Sequence, residues 1–234
     1  VLFGRDTENE TAETLKQKIA DYQQASSIPL LIGMDEEGGT VTRISRNPAL
    51  VQTPFLSPQQ LYQQGGWQAI EEDTAQKAAI FHEYGISTGL FPVADVSTDP
   101  NSFIYDRTIG LDAAGTSEFV RRNIAVLKEN RIGSTLKHFP GYGNNRDSHV
   151  EIVTDDRPLE EWETNDFLPF EAGIKAGADS ILVSHNIVTS IDDSAPASIS
   201  KPVHELLRKQ LGFKGVIMTD DMDMAGVAGF IFQS

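Results

Sequence analysis

Apolar runs alternate with amphipathic stretches along the whole chain, and this alternation limits the folds that the chain can adopt. The apolar runs predict six strands: Val1–Phe3, Pro29–Met34, Ser87–Pro92, Ile132–Lys137, Ser180–Ser184 and Gly215–Thr219. The stretches between them predict five helices: Thr11–Gln24, Trp67–Tyr84, Gly115–Asn130, Leu159–Ala176 and Lys201–Leu211. Strands that are apolar on both faces and separated by helices are typical of a parallel sheet covered by helices. The sequence therefore predicts an α/β fold.

Polar side chains follow the end of nearly every predicted strand. In chain order they are Asp35-Glu36-Glu37, Asp95, Lys137-His138, His185 and Asp220-Asp221. A TIM barrel builds its site from strand ends all round the ring, whereas a doubly wound sheet concentrates its site at one switch point. The pattern favours a (β/α)8 barrel, although six strands leave two of the eight unaccounted for. No internal repeat or linker divides residues 1–234, so we expect a single domain.

Composition narrows the range of partners. The net charge of −15 and the pI of about 4.6 argue against non-specific binding to nucleic acid or to an anionic membrane. There are no cysteines, which excludes thiolate nucleophiles and cysteine-based metal sites. No apolar run reaches the length of a membrane span. The chain opens as though inside a strand, so a targeting segment would have been removed, and cytoplasmic and secreted locations both stay open.

The acidic cluster Asp35-Glu36-Glu37 precedes Gly38-Gly39, where the backbone can approach a ligand closely. Asp35 lies nearest the strand and is the best candidate for a carboxylate that binds hydroxyl groups. Glu36 and Glu37 could instead pair with Arg43. The alternative interpretation is a solvated acidic turn.

Arg107 lies in the loop after the third predicted strand. Its planar fork of donors suits vicinal hydroxyls or a carboxylate. An ion pair with Asp106 or Asp112 is an equally good interpretation of this loop.

Lys137 and His138 end the fourth predicted strand and would point to opposite faces if that strand were regular. A bulge at the rim can turn both side chains toward the site. Glycines at 141 and 143 then give the following loop conformational freedom. Asp147 and His149 can meet if this loop turns, and together they form a candidate acid/base pair for proton transfer near neutral pH.

Asp220 is the first residue past the last predicted strand, where a carboxylate nucleophile would be held rigidly. Asp221 and Asp223 are expected at most to cap the following helix. His185, which ends the fifth strand, either lines the pocket or packs in the core.

Taken together, Asp35-Glu-Glu-Gly-Gly, Lys137-His-Phe-Pro-Gly-Tyr-Gly, Asp147-Ser-His149 and Thr219-Asp220-Asp221 resemble glycoside hydrolase family 3. The branch that they resemble most is the β-N-acetylglucosaminidases (β-hexosaminidases) of peptidoglycan turnover. The resemblance covers essentially the whole chain, because Leu2-Phe3-Gly4-Arg5 and Phe91-Pro92-Val93-Ala94-Asp95 also occur in the expected order. By strand order, the first and the eighth barrel strands are missing. Other segments or a partner would then be needed to close the barrel.

The resemblance implies a (β/α)8 barrel that removes terminal N-acetylglucosamine with retention of configuration and without a cofactor. Asp220 would be the nucleophile that forms a glycosyl-enzyme, and His149 with Asp147 would act as acid and then as base. The sugar hydroxyls would be held by Asp35, Arg107, Lys137 and His138, with His185 beside them. The substrate would be a small carbohydrate, either a peptidoglycan fragment or a chitin-like oligosaccharide.

Two alternatives remain open on the residues alone. A metal-dependent barrel hydrolase could use His138, His149, His185 and Asp220 as ligands, although no His-x-His or His-Glu-x-x-His motif supports it. A non-catalytic sugar-binding barrel is the other. It predicts that Asp220→Asn leaves the protein's behaviour unchanged.

Overall fold

The computed structural model describes residues 1–143 and 152–224, together with residues 227 and 230. Its strands are β1 Gly33–Met34, β2 Thr88–Gly89, β3 Thr135–Phe139, β4 Thr154–Asp155, β5 Ser180–Val183, β6 Ile187–Val188 and β7 Val216–Thr219. Its helices are α1 Gly4–Thr7, α2 Ala12–Gln24, α3 Pro58–Tyr84, α4 Ala113–Glu129, α5 Leu159–Glu161, α6 Phe167–Ala176 and α7 Lys201–Glu205. Two π-helical turns, Trp162–Asp166 and Leu206–Gln210, continue α5 and α7.

The three longest helices begin at side chains that satisfy their free N–H groups. Thr11, Ser57 and Asp112 each accept a hydrogen bond from the backbone N–H three residues later. Within α3, Gly66 has φ 62° and ψ −147°, which breaks the helical path between two segments. The second segment corresponds to the predicted helix 67–84.

Apart from the short strands β4 and β6, the parallel strands pair in the order in which they occur along the chain. β1 pairs with β2, and β3 pairs with β5, which pairs with β7, all in parallel. Parallel bridges from Leu2 to Met34, from Thr88 to Gly133 and from Val93 to Lys137 link these sheets. The predicted α/β class is therefore confirmed. The described strands show no reversal of order of the kind that defines a doubly wound sheet.

The β4–β6 pair is a separate parallel ribbon in which Thr154 lies opposite Ile187. The sequence did not predict it, because two-residue strands are too short to show a period in hydrophobicity. The predicted strand Val1–Phe3 is reduced to a single bridge between Leu2 and Met34. The other five predicted strands are present but shorter, and β3 ends at Phe139 rather than at Lys137.

The buried apolar residues form two clusters, each around different strands. One packs α4 and α6 against β3 and β5 and contains Phe139, Trp162 and Phe170. The other packs α2 and α3 against β1 around Leu15 and Phe81. All five residues of β3 are buried, as expected for a strand covered on both faces. Within the described residues, no helix combines the length and apolarity needed to cross a bilayer.

Candidate active site

A cavity of about 640 Å³ lies at the carboxyl ends of the parallel strands. It is lined by five of the side chains that the sequence predicted for the site: Asp35, Arg107, Lys137, His138 and Asp220. Arg43 and Asp221 also line it, together with apolar side chains that include Leu90, Leu182 and Met218. Charged groups that converge beside apolar walls are typical of a small-molecule site.

The end of β3 brings two adjacent side chains into this one cavity. The pairing of β3 with β5 shifts in register between Leu136 and Phe139, and the Lys137–His138 peptide bond is cis. Both Lys137 and His138 line the cavity. The expected irregularity at the strand end is therefore present.

Glu37 is buried between two of the cations that line the cavity, Arg107 and Lys137. Arg107 donates to both of its carboxylate oxygens, from Nε at 2.9 Å and from Nη2 at 2.8 Å, and Lys137 Nζ lies 2.5 Å from Oε1. Burial alone would raise the pKa of Glu37, but the charges of Lys137 and Arg107 hold that pKa well below its usual range. Glu37 therefore stays ionised and fixes both cations in place.

The sequence interpretation missed Glu37 and offered Arg43 as its partner. The available signal was the spacing of Asp35 and Glu37, because alternate residues of an extended segment point to the same side. The side chain of Arg43 instead approaches Asp35, at 3.7 Å. Neither alternative partner of Arg107, Asp106 or Asp112, is its ion-pair partner; that partner is Glu37.

Lys137 lies between two carboxylates. Its Nζ is 2.6 Å from Asp35 Oδ1 on one side and contacts Glu37 on the other. Burial would lower the pKa of Lys137, but Asp35 and Glu37 together raise it, so the ammonium group stays charged. Asp35 is partly exposed and faces the cavity, which leaves carboxylate surface for a ligand.

His138 is held in one tautomer by its two neighbours. Its Nδ1 lies 2.7 Å from Asp95 Oδ2, and Arg107 Nη2 lies 3.1 Å from its Nε2. A guanidinium group can only donate, so Nε2 accepts and Nδ1 carries the proton toward Asp95. Asp95 is fully buried and also accepts from the backbone N–H groups of His138 and Tyr142.

Glu36 points away from the cavity and has a structural role. Its carboxylate accepts from the backbone N–H groups of Arg43 and Ile44, both at 2.8 Å, and from the Ser45 hydroxyl. Burial raises the pKa of Glu36, although these hydrogen bonds act in the opposite direction. Glu36 thus fixes the turn that carries Arg43.

Asp220 follows β7 directly, and its backbone N–H donates to the carbonyl oxygen of Val183 at 2.9 Å. One carboxylate oxygen accepts from the backbone N–H of Asp221, also at 2.9 Å. The sheet therefore holds the backbone of Asp220 while its side chain lines the cavity.

His185 is buried next to Asp221, the residue that follows Asp220. Its ring is fully buried, with Nδ1 2.7 Å from Ser198 Oγ and Nε2 2.8 Å from the carbonyl oxygen of Asp221. It is not among the residues that line the cavity. The geometry thus favours the core-packing interpretation of His185 and adds a contact to the residue next to Asp220.

Asp147 and His149 lie outside the described residues. The acid/base pair therefore stays a prediction. The structure describes the chain as far as Gly143 and again from Ile152.

Comparison with known proteins places these features in a family. The model of the glycosyl hydrolase family 3 N-terminal domain matches residues 1–232. A β-hexosaminidase from Xanthomonas campestris pv. campestris (strain B100) is 33% identical over 239 residues, covering 98% of this chain and 71% of the relative.

Two solved structures resemble the chain in three dimensions. A glycoside hydrolase family 3 β-N-acetylglucosaminidase from Paenibacillus sp. str. FPU-7 superposes with a TM-score of 0.87 and 26% identity. The match covers 94% of this chain and 43% of that one. Native NagZ from Neisseria gonorrhoeae superposes with a TM-score of 0.82 and 28% identity, over 95% of this chain and 65% of that one.

The match to the family model and the fold shared with these relatives define the class as glycoside hydrolase. The chain belongs to glycosyl hydrolase family 3, whose N-terminal domain it matches along almost its entire length. The resemblance in sequence motifs is thus confirmed at the level of the family. The chain spans less than half of the Paenibacillus protein and about two thirds of the Neisseria protein.

Proposed function

We propose that this protein is a retaining exo-β-N-acetylglucosaminidase that removes terminal β-linked N-acetylglucosamine. The observation that carries the proposal is the position of Asp220, at the end of β7 in a cavity shared with Asp35, Arg107, Lys137 and His138. The names of the family relatives support the choice of sugar. The natural substrate would be a peptidoglycan fragment or a chitin-like oligosaccharide.

In this mechanism Asp220 attacks the anomeric carbon and forms a glycosyl-enzyme, which water then hydrolyses. His149, oriented by Asp147, protonates the leaving oxygen and afterwards activates the water. The fixed donors of Arg107 and Lys137 and the carboxylate of Asp35 hold the sugar hydroxyls. Glu37 already orients Arg107 and Lys137, and Asp95 orients His138 beside them, so little reorganisation is needed when the sugar binds.

We also infer that the fold is a (β/α)8 barrel, formed as one catalytic domain. The support is the order of the strands. Apart from the β4–β6 ribbon, each parallel segment pairs with the next one along the chain, from Leu2 through β1, β2, β3 and β5 to β7. Barrels pair their strands in this sequential order. The outer segments carry exposed apolar residues, with Leu31 81% and Val216 56% exposed, where further strands would pack.

The test compares hydrolysis of an aryl β-N-acetylglucosaminide with hydrolysis of the matching aryl β-glucoside. The proposal expects turnover of the first substrate, with the β-anomer as the initial product by NMR. Activity on the glucoside alone would contradict the assignment of the sugar. Initial release of the α-anomer would contradict retention.

Asp220→Asn tests the role of the nucleophile. Loss of a carboxylate nucleophile is expected to lower kcat by at least about 1,000-fold, while calorimetry still detects binding of N-acetylglucosamine. Asp223→Asn is the matched control, because Asp223 is exposed and does not line the cavity. If Asp220→Asn kept the kcat of the unaltered protein, Asp220 would not be the nucleophile. If neither protein hydrolysed the substrate while both bound N-acetylglucosamine, the site would be a non-catalytic sugar-binding site.

A further inference from the structure

A second charged cluster, next to the cavity, consists of Arg157, Asp155 and Asp166. Arg157 donates to Asp155 through Nε and Nη2, at 3.0 and 2.9 Å, and to Asp166 through Nη1, at 2.9 Å. Both carboxylates are almost fully buried, and the guanidinium group stacks over the ring of Trp162 at 4.0 Å. One planar fork of donors thus joins two buried acids, which the shorter and non-planar lysine head group cannot do.

This cluster packs directly against the backbone of the turn Gly141–Gly143. A Cβ atom at Gly141 would lie 2.9 Å from Asp166 Oδ1, and one at Gly143 would lie 2.9 Å from Arg157 Nη2. Cβ atoms do not approach other heavy atoms so closely, so a side chain at either position would displace the Asp166 carboxylate or the Arg157 guanidinium group. The turn and the cluster are therefore in direct contact.

The same turn is bonded to the sugar-binding side of the cavity. The backbone N–H of Tyr142 donates to Asp95 at 2.7 Å, and the ring of Tyr142 lies 5.2 Å from that of His138. Asn186 donates to the carbonyl oxygen of Gly141 at 3.3 Å. On the cavity side, the turn is therefore held by Asp95 and Asn186, independently of Arg157.

Asp155 connects the Arg157 cluster to the β4–β6 ribbon, which follows residue 151 in the chain. Asp155 belongs to β4, and its carbonyl oxygen accepts from the backbone N–H of Thr189 at 3.0 Å. The N–H of Ile187 donates to the carbonyl oxygen of Val153 at 2.8 Å. In sequence, the proposed proton donor lies between this ribbon and the turn, and Arg157 contacts both.

We propose that Arg157 is a positioning residue for the proton-transfer step of the reaction. It ties the turn at 141–143 to β4 and thereby fixes the two described points of the chain that flank Asp147 and His149 in the sequence. This inference rests on the proposed function, because it assigns proton transfer to that pair. The inference adds that proton transfer requires the planar guanidinium group of Arg157. This group contacts neither the sugar-binding cations nor Asp220 in the structure.

The experiment uses Arg157→Lys and two aryl β-N-acetylglucosaminides. The phenyl glycoside has a basic leaving group that needs protonation, whereas the 2,4-dinitrophenyl glycoside leaves without it. Misplacement of the proton donor is expected to lower kcat/KM for the phenyl substrate about 10- to 100-fold and for the dinitrophenyl substrate less than about 3-fold. A residue with only a structural role would affect both substrates equally.

Arg122→Lys is the matched control. The Arg122 side chain is 27% exposed, against 26% for Arg157, and it also binds two carboxylates, Glu118 and Glu71, while stacking over Trp67. It is not among the residues that line the cavity. Arg122→Lys is therefore expected to leave the ratio of the two rates unchanged.

His149→Ala separates this inference from the proposed function. If His149→Ala shows the selective loss and Arg157→Lys does not, the positioning role is wrong and the proposed function stands. If the unaltered protein hydrolyses neither substrate, the proposed function fails, and the inference fails with it. If Arg157→Lys does not fold, Asp166→Asn decides: equal losses on both substrates, or no loss, overturn the proposal.

Discussion

Asp35, Glu36 and Glu37 are consecutive acids with three different environments. Asp35 contacts Lys137 and faces the cavity, Glu36 accepts backbone hydrogen bonds in the interior, and Glu37 neutralises two buried cations. Burial raises the pKa of Glu36, whereas the charges of Lys137 and Arg107 lower that of Glu37 despite its burial. Identical side-chain chemistry therefore supports ligand binding, turn structure and charge balance at adjacent positions.

Glu37→Gln is expected to destabilise the protein by about 3 to 5 kcal/mol, because it leaves Arg107 and Lys137 buried with one carboxylate fewer. Urea unfolding measures this loss. Glu205→Gln is the control, since Glu205 and Lys209 form an exposed pair whose removal should change stability by less than about 0.5 kcal/mol. Similar losses for the two variants would show that the charge on Glu37 contributes little.

The dependence of the free energy of unfolding on pH should also show the contribution of the Glu37 carboxylate. The pKa of Glu37 in the folded protein lies well below its ordinary value of 4.5. Its contribution to stability is therefore complete above pH 4.5 and is lost as the pH falls toward the folded pKa. The free energy of unfolding of the unaltered protein should therefore fall more steeply below about pH 4.5 than that of Glu37→Gln. Parallel curves for the two proteins would contradict the lowered pKa.

His185→Ala is expected to lower kcat roughly tenfold, equivalent to about 1.4 kcal/mol, with little change in KM. The reason is that His185 holds the carbonyl of Asp221, next to the proposed nucleophile, rather than the sugar. His204→Ala is the control, because His204 also bonds to Ser198 but does not contact Asp221. A raised KM with unchanged kcat would instead support the substrate-binding role predicted from sequence.

At the scale of the elements, the sequence predicted the helices better than the strands. The helices α2 and α4 extend over several turns with a clear hydrophobic period, so both were located to within about two residues. The first segment of α3, Pro58 to Gly65, was missed, because α3 has little hydrophobic period. The strands have two to five hydrogen-bonded residues, and the β4–β6 ribbon is too short to show any period. Strand ends were nevertheless located well enough to identify five of the seven ionisable side chains that line the cavity.

The turn after β1 depends on glycine for its geometry. Gly38 has φ 98°, and a Cβ atom there would lie 2.1 Å from the carbonyl oxygen of Leu56. Gly38→Ala should therefore cost more than about 2 kcal/mol of stability and raise KM, because the turn carries Glu37. Gly212→Ala is the control: Gly212 has φ 70° with no heavy atom within 4 Å of the added Cβ, so only about 1 kcal/mol is expected. Equal losses measured by urea unfolding would contradict the steric argument.

At the scale of the whole molecule, the ring nitrogens of two histidines named as possible metal ligands already have partners. Those of His138 contact Asp95 and Arg107, and those of His185 contact Ser198 and the carbonyl of Asp221. Within the described part of the chain, no group of three or more histidines and acids has a geometry that could hold a metal ion.

Dialysis against EDTA is therefore expected to leave hydrolysis of the aryl β-N-acetylglucosaminide unchanged, within about twofold. Dialysis against buffer alone is the control, and metal content is measured in both samples. Loss of activity that one equivalent of zinc restores would support the metal-dependent hydrolase instead.

The sequence by itself determined the α/β class, the family and most of the charged side chains at the strand ends. These features depend on local periodicity and on short motifs, which can be identified without knowledge of distant contacts. The tertiary structure decided which of these groups meet. Glu37 pairs with Arg107 across 70 residues, and Lys137 pairs with Asp35 across 102. Partners so far apart in sequence are chosen by the packing of the sheet, and that packing also turns Glu36 and His185 away from the cavity.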